Sequence, residues 1–250
     1  MDRVLLRRAD ITAHSSDSTL PAWGTWVFRE FEQSLSSKEP LFPCIFGVIG
    51  FNTDRLRYGF FDSPSAYESL MQLKDALVEY TSAARGIGSN TSFVAFFRPE
   101  AEIQSMEAYQ ARFWSVLQFL HEHDPQAWPA NIPTHPDHAM WEFCFNGEPL
   151  FVVCATPAHG ARLSRRAVSF TMTFQPRWVF EGLEGDSVRG RAARKAIRRR
   201  LTRYDLVPPH AALGSYTDPN NREWTQYFLT DSNAEDMGEC PFRVSGSPTQ

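Results

Sequence analysis

One cysteine in the sequence stands where a sulfur could do chemistry. Cys44 follows Pro43, lies between Phe42 and Phe46, and has Gly47 close behind. A proline-fixed backbone, apolar walls and a small residue could place that sulfur below a flat ring. A thiolate so placed pushes electron density onto a haem iron and favours O–O cleavage. The competing reading is a buried, inert cysteine, which the residue types alone favour. Cys144 and Cys154 lie in an apolar hairpin and read as core, while Cys240 falls in the expected tail. No CxxCH run occurs, so any haem would be held without covalent attachment.

Arginine is the second residue type with chemical potential. Arg162, Arg165 and Arg166 follow Thr156-Pro-Ala-His159, and Arg177 stands in Gln175-Pro-Arg-Trp178. A guanidinium pairs bidentately with carboxylates, so loop arginines beside aromatic rings suit haem propionates or an amino-acid carboxylate. Surface salt bridges explain them equally well. Arg189, Arg191, Arg194, Lys195, Arg198, Arg199, Arg200 and Arg203 fall on one expected helix. Such a helix could bind nucleic acid. Ala193, Ala196, Ile197, Leu201 and Tyr204 give it an inward stripe, however, and the charges then form a solvated face.

His121, His123, His135 and His138 crowd a helix end and a polar loop. They read as solvated loop histidines, with a zinc or non-haem iron site as the alternative. There is no Gly-rich phosphate loop followed by Lys, no HExxH, no GxSxG and no GxGxxG. That argues against a nucleotide enzyme or a simple hydrolase.

The 250 residues, 42% hydrophobic and 22% charged, suit one globular domain whose core needs no disulfides. Twenty Phe and seven Trp would fill a wide core or line a pocket for a flat apolar ligand. A net charge of −4 argues against polyanion binding by the chain as a whole. Four cysteines without a CxxC pair point to a reducing compartment. Between Arg3 and Arg7 lies only the short apolar run Val4-Leu5-Leu6, so no secretory signal is read. No run approaches the roughly 18 apolar residues of a membrane helix. The expected location is the cytoplasm.

The elements that must position these residues follow from periodicity. Residues 1–20 read as a loose leader, 21–230 as the domain, and 231–250 as a flexible tail. Helices are expected over Pro21–Leu35, Ser65–Thr81, Ser105–His123 and Ala192–Tyr204. Strands are expected over Leu56–Phe61, Thr91–Phe97, Val168–Phe174 and Glu223–Leu229. Trp141–Phe145 and Pro149–Cys154 flank Asn146-Gly147, the preferred pair for a two-residue type I′ hairpin turn. In that register Cys144 opposes Pro149 as a non-hydrogen-bonded pair, so the proline loses no ladder bond. Helices and strands do not alternate strictly, and the expected fold is α+β with a mostly antiparallel sheet.

Several segments, taken in order, resemble the YqcI/YcgG family. They are Phe42-Pro-Cys-Ile-Phe-Gly47, Phe113-Trp-Ser-Val-Leu-Gln-Phe-Leu-His121, Trp128-Pro129 and Trp141-Glu-Phe-Cys-Phe-Asn-Gly-Glu-Pro-Leu-Phe151. Ala155-Thr-Pro-Ala-His159, Ser164-Arg165, Phe174-Gln-Pro-Arg-Trp-Val-Phe180, Tyr204-Asp205 and Glu223-Trp-Thr-Gln-Tyr-Phe-Leu229 continue the set. Thr217, where Gly is usual after Tyr216, and Thr225, where Lys is common, depart from the pattern.

The resemblance implies a haem-dependent N-oxygenase that hydroxylates a guanidine or amine nitrogen of arginine, lysine or a related small molecule. It would use O2 and electrons from a separate reductase. It makes Cys44 the preferred axial ligand of a b-type haem, with His159 as rival. Arg165 or Arg177 would meet propionates, with Trp178 beside them. A cationic substrate needs a carboxylate partner, for which Glu142 and Glu223 are candidates, a structural salt bridge being the alternative for each. The rival readings are a non-catalytic haem sensor or carrier, and a nucleic-acid-associated protein using the 189–203 helix.

Overall fold

Short apolar runs bounded by turn residues become five strands in the computed structural model, which describes residues 5–13, 20–183, 187–214, 218–233 and 238–244. They are β1 (Leu56–Phe61), β2 (Ser92–Phe97), β3 (Phe143–Phe145), β4 (Glu148–Ala155) and β5 (Thr171–Pro176). The sheet order is β1-β2-β5-β4-β3, with β1 and β2 parallel and every other pair antiparallel. Among the described residues the α-helices are α1 (Arg8–Ala13), α2 (Gly24–Leu35), α3 (Ile45–Asn52), α4 (Tyr67–Ile87), α5 (Met106–Glu122) and α6 (Val188–Tyr204). The expected α+β class with a mostly antiparallel sheet holds. No helix among the described residues is long and apolar enough to cross a membrane.

The hairpin forms as its turn residues dictate. Asn146 and Gly147 take φ of 52° and 75°, the left-handed pair a type I′ turn needs. Phe145 faces Glu148 and Cys144 faces Pro149, so the proline sits where the ladder asks for no N–H.

Alternation along the strands sorts side chains to two faces. Phe93, Ala95 and Phe97, Leu150, Val152 and Cys154, and Met172 and Phe174 meet Leu73, Leu77 and Tyr80 of α4 and Phe113, Leu117 and Leu120 of α5. Each such large apolar side chain, once buried, contributes about 1.5–3 kcal/mol. The other face divides. Its β1–β2 half, with Tyr58, Val94 and Phe96, packs under Val27, Phe28 and Leu35 of α2 and Phe51 of α3. Over the β4–β5 half and reaching Leu56 and Val94, α6 stands off and leaves a cavity.

Helix α6 starts where the chain can approach itself closely. The Ser187 Oγ accepts from the Gly190 N–H at 3.0 Å, a side-chain cap. A Cβ on Gly190 would meet the Leu183 carbonyl oxygen at 2.1 Å, so only glycine fits. Gly190 and Leu201 are its buried residues.

Two expected strands are corrected. Glu223–Leu229 is not a strand: Glu223–Gln226 is a 3₁₀ turn, closed by bonds such as Tyr227 N–H to the Trp224 carbonyl at 3.2 Å. The apolar residues there, Trp224 and Tyr227, recur at three and not two. The strand expected from Val168 starts at Thr171 and runs to Pro176. The expected tail contributes Cys240, Phe242 and Val244 to the core, and the expected leader contributes Leu5 and Ile11. His135 and His138 are exposed, in keeping with solvated loop histidines, and their Nδ1 atoms accept backbone N–H groups of Asp137 and Met140.

Candidate active site

The cavity between the sheet and α6 measures about 340 Å³, at the lower end of the roughly 300–1,000 Å³ that small-molecule and cofactor sites occupy. Leu56, Val94, Thr173, Gln175, Val153 and Phe151 form its floor. Phe31 and Leu35 of α2, Phe46 and Phe180, and the α6 residues Ala193, Ile197 and Leu201 form its walls. The inward stripe of the basic helix therefore meets a cavity and not a packed core.

Cys44 lines this cavity as the N-cap of α3. Pro43 precedes it and ψ of 99° turns the chain into the helix. Its Sγ accepts from the Gly47 N–H at 3.3 Å, and the missing side chain at Gly47 leaves room for the sulfur. Helix α6 fixes the loop from the other side: Arg200 Nη1 donates to the Phe42 carbonyl at 3.1 Å, and Tyr204 meets the Phe42 ring edge-on. Burial pushes the Cys44 thiol up, while the Gly47 and Phe46 amides and the Arg165 and Arg200 charges pull it down.

One end of the cavity carries an ionic cluster. Arg177 Nε donates to Glu142 Oε2 at 2.6 Å, and Arg177 Nη2 donates to Glu223 Oε2. Both carboxylates are buried. Glu223 and Arg177 line the cavity, and Glu142 joins them from behind. The Tyr227 hydroxyl donates to Glu223 Oε1 at 2.8 Å and takes the Phe143 N–H at 3.1 Å. Two carboxylates share one guanidinium, so burial, reinforced by Glu142 and opposed by Arg177, pushes Glu223 up to about 8.

The other end is basic. Arg165 lines the cavity and donates Nη1 to the Tyr227 carbonyl at 3.1 Å and Nη2 to the Gln226 carbonyl at 3.0 Å. Burial brings it down to about 10, which leaves it charged at neutral pH. Arg162 lines the same end.

Cys44, Arg165, Arg177 and Glu223, expected from sequence, thus meet at one cavity. His159 does not. It is fully buried off the cavity, with Nδ1 2.9 Å from Thr156 Oγ1 and Nε2 2.7 Å from the Leu229 carbonyl. Both ring nitrogens are engaged by the protein, so in this structure His159 ties Thr156 to Leu229. Trp178 also lies apart: it packs against the main core with Arg85 over its ring at 5.0 Å, away from the cavity. Sequence reading missed Tyr227 and the α6 wall; Arg162 it grouped with the loop arginines suited to a carboxylate. Tyr227 had a signal, its spacing of four from Glu223. Of the two departures from the family pattern, Thr225 closes the 3₁₀ turn through Oγ1 on the Arg222 carbonyl at 2.7 Å; Thr217 lies outside the described residues.

A mixed α+β chain with a mostly apolar cavity, a thiol on one wall and a few converging ionic groups has the features of a small-molecule site. The chain belongs to the YqcI/YcgG family, whose model matches residues 31–243. It is 44% identical to YcgG of Bacillus subtilis (strain 168) over 226 residues, 89% of each chain. It is 43% identical to YqcI of the same organism over 227 residues, 90% of this chain and 89% of that one. A Streptomyces lavendulae protein, named "Putative N(omega)-hydroxy-L-arginine synthase DcsA", is 34% identical over 234 residues, 91% of this chain and 87% of that one. No solved structure matches.

Proposed function

We propose that the chain is a haem-dependent N-oxygenase that hydroxylates a guanidine or amine nitrogen of a small amino-acid-like substrate with O2. The observation carrying this reading is that one cavity is lined both by the Cys44 thiol and by Glu223, half of a carboxylate pair bridged by Arg177. The name of the Streptomyces lavendulae relative supports the reaction type.

The donor set suits haem. The cavity floor and walls are largely apolar and aromatic, and the thiol sits at a helix start with the Gly47 amide on its sulfur. Backbone N–H groups and a helix N-terminus favour the thiolate that a metal would draw out. Arg165, on the cavity wall, would meet an acidic edge group. Bound there, a thiolate-ligated haem supplies activation of O2.

The chain's own residues do the rest. Glu223, with Glu142 behind Arg177, offers a carboxyl group to a guanidinium or ammonium group. A cation arriving there favours the ionised form of Glu223, so the neutral carboxyl gives up its proton as the cation binds. The aromatic walls exclude water. One oxygen atom enters an N–H bond to give N–OH; the other leaves as water with two electrons and two protons, the electrons from a separate reductase.

Reconstitution with haemin tests this. Wild type and His159→Ala should take up haemin and give the reduced-CO spectrum of a thiolate-ligated haem, and Cys44→Ala should lose that signature. Absence of haemin uptake by wild type would overturn the reading. Haem uptake without amine-dependent O2 consumption, given a reductase, would leave a haem carrier.

A further inference from the structure

Arg162 lines the cavity with one nitrogen unspent. It is 1% exposed. Its Nε donates to the Thr230 carbonyl at 2.7 Å and its Nη2 to Asn233 Oδ1 at 2.7 Å. Its Nη1 is buried without a partner. The acidic groups that act on it are already committed: Asp231 accepts the backbone N–H groups of Gly160, Ala161 and Arg162 at 2.8, 2.9 and 2.7 Å. Asp205 is spent on Ser164 N–H and Oγ at 2.7 and 2.9 Å. Among the described residues neither forms an ion pair with Arg162.

A buried, charged donor without an acceptor is costly and calls for an explanation. Gln175, on the cavity floor and 7% exposed, likewise leaves Nε2 buried and unpartnered. Among buried side-chain atoms without partners, those belonging to cavity residues are both donors. The missing group is therefore an acceptor, and the cationic donor selects an anionic one.

We propose that Arg162 Nη1, with the Arg165 charge beside it, forms a carboxylate subsite at the end of the cavity away from Glu223. Glu223 and Arg177 lie near Leu150, whose carbonyl is 3.1 Å from the Tyr227 hydroxyl. Arg162 follows the opposite end of β4, where the Thr156 N–H reaches the Arg165 carbonyl at 2.9 Å. The cavity is thus acidic at one end and basic at the other. Its occupant carries a carboxylate, either a propionate of haem or the carboxylate of an amino acid whose cationic group reaches Glu223. The choice between these occupants rests on the proposed function; the carboxylate itself does not.

Three ligand pairs test it, each differing only at the carboxyl group. The first, 3-phenylpropionate against 3-phenylpropanol, needs neither haem nor turnover. Wild type should prefer the acid by roughly tenfold to a hundredfold, the worth of a charge-assisted hydrogen bond, by calorimetry or thermal shift. Arg162→Gln should lose that preference. The second pair, haemin against haemin dimethyl ester, and the third, L-arginine against agmatine, assign the source. Loss of discrimination in Arg162→Gln for the second pair identifies a propionate, and for the third a substrate carboxylate. Because Arg162 also ties down Thr230 and Asn233, wild type alone is decisive if the variant does not fold. No preference for the acid in any pair overturns the subsite. Failure of haemin and both amines to bind, with the phenylpropionate preference intact, sinks the oxygenase reading and leaves the subsite standing.

Discussion

Tyr227 donates its hydroxyl to Glu223 Oε1 at 2.8 Å, one turn of chain away. The same oxygen takes the Phe143 N–H at 3.1 Å and lies 3.1 Å from the Leu150 carbonyl. One hydroxyl hydrogen serves two acceptors. It turns to Glu223 when that carboxylate is charged and is free to turn to Leu150 when it is not. The ionic cluster is therefore built to tolerate either protonation state of Glu223 without leaving a polar atom bare.

A pH dependence of stability follows. Glu223 is pushed up to about 8 by burial, with Glu142 adding and Arg177 opposing, whereas an unfolded Glu titrates near about 4.3. Between those values the folded chain keeps a proton the unfolded chain has lost. Its contribution to stability therefore falls as pH rises through that window and levels off above about 8. Glu223→Gln should remove this slope. Urea midpoints for both proteins between these limits check it, and parallel curves would show that Glu223 titrates as an ordinary carboxyl.

How far such features could be read beforehand depended on how local their causes were. The Asn146-Gly147 hairpin and its Cys144–Pro149 pairing were legible because turn chemistry and alternation act over neighbouring residues. Cys44, Arg177 and Glu223 were legible as residue types in suggestive settings. The setting of His159 was hidden because its second partner, the Leu229 carbonyl, lies 70 residues away. That of Phe242 was hidden likewise, since nothing beside it in sequence announces that Trp141 and Phe143 cover it. The cavity itself depends on how far α6 stands from the sheet, a distance no periodicity encodes.

The Cys44 thiol offers a second prediction. It is partly exposed and lines the cavity, whereas Cys144, Cys154 and Cys240 are buried and their thiols are pushed up by burial. In the native protein a small thiol reagent should therefore modify Cys44 first, slowly, because burial also holds this thiol up. Haemin bound through the sulfur should protect it. Peptide mapping after timed labelling checks both statements; unchanged labelling in haemin-loaded protein would remove Cys44 as the ligand.

His159→Ala should damage the fold and spare the cavity. The imidazole links Thr156 Oγ1 to the Leu229 carbonyl in a fully buried setting, and deletion leaves both unpaired at a cost of about 1–3 kcal/mol. Haemin affinity and the reduced-CO spectrum should match wild type once the variant is assayed well below its unfolding midpoint. A changed spectrum would return His159 to the list of ligands.

The two faces of α6 can be separated by substitution. Ala193 lines the cavity on the inner face, and Arg189, Lys195, Arg199 and Arg203 are exposed on the outer one. Ala193→Phe should fill part of the void with little loss of stability, because space already exists there, and should weaken haemin or amine binding at least tenfold, a loss of about 1.4 kcal/mol. Reversing the outer charges to Glu should leave ligand binding by the isolated protein unchanged, since those side chains do not reach the cavity. Titration of both variants by absorbance and by calorimetry gives the comparison. Were the outer-face variant to lose an oligonucleotide gel shift shown by wild type, with Ala193→Phe binding ligands normally, the helix would be a nucleic-acid surface and the cavity beneath it a packing defect. The opposite pattern, ligand binding lost only in Ala193→Phe, makes the apolar stripe the functional face and the arginines its solvated back.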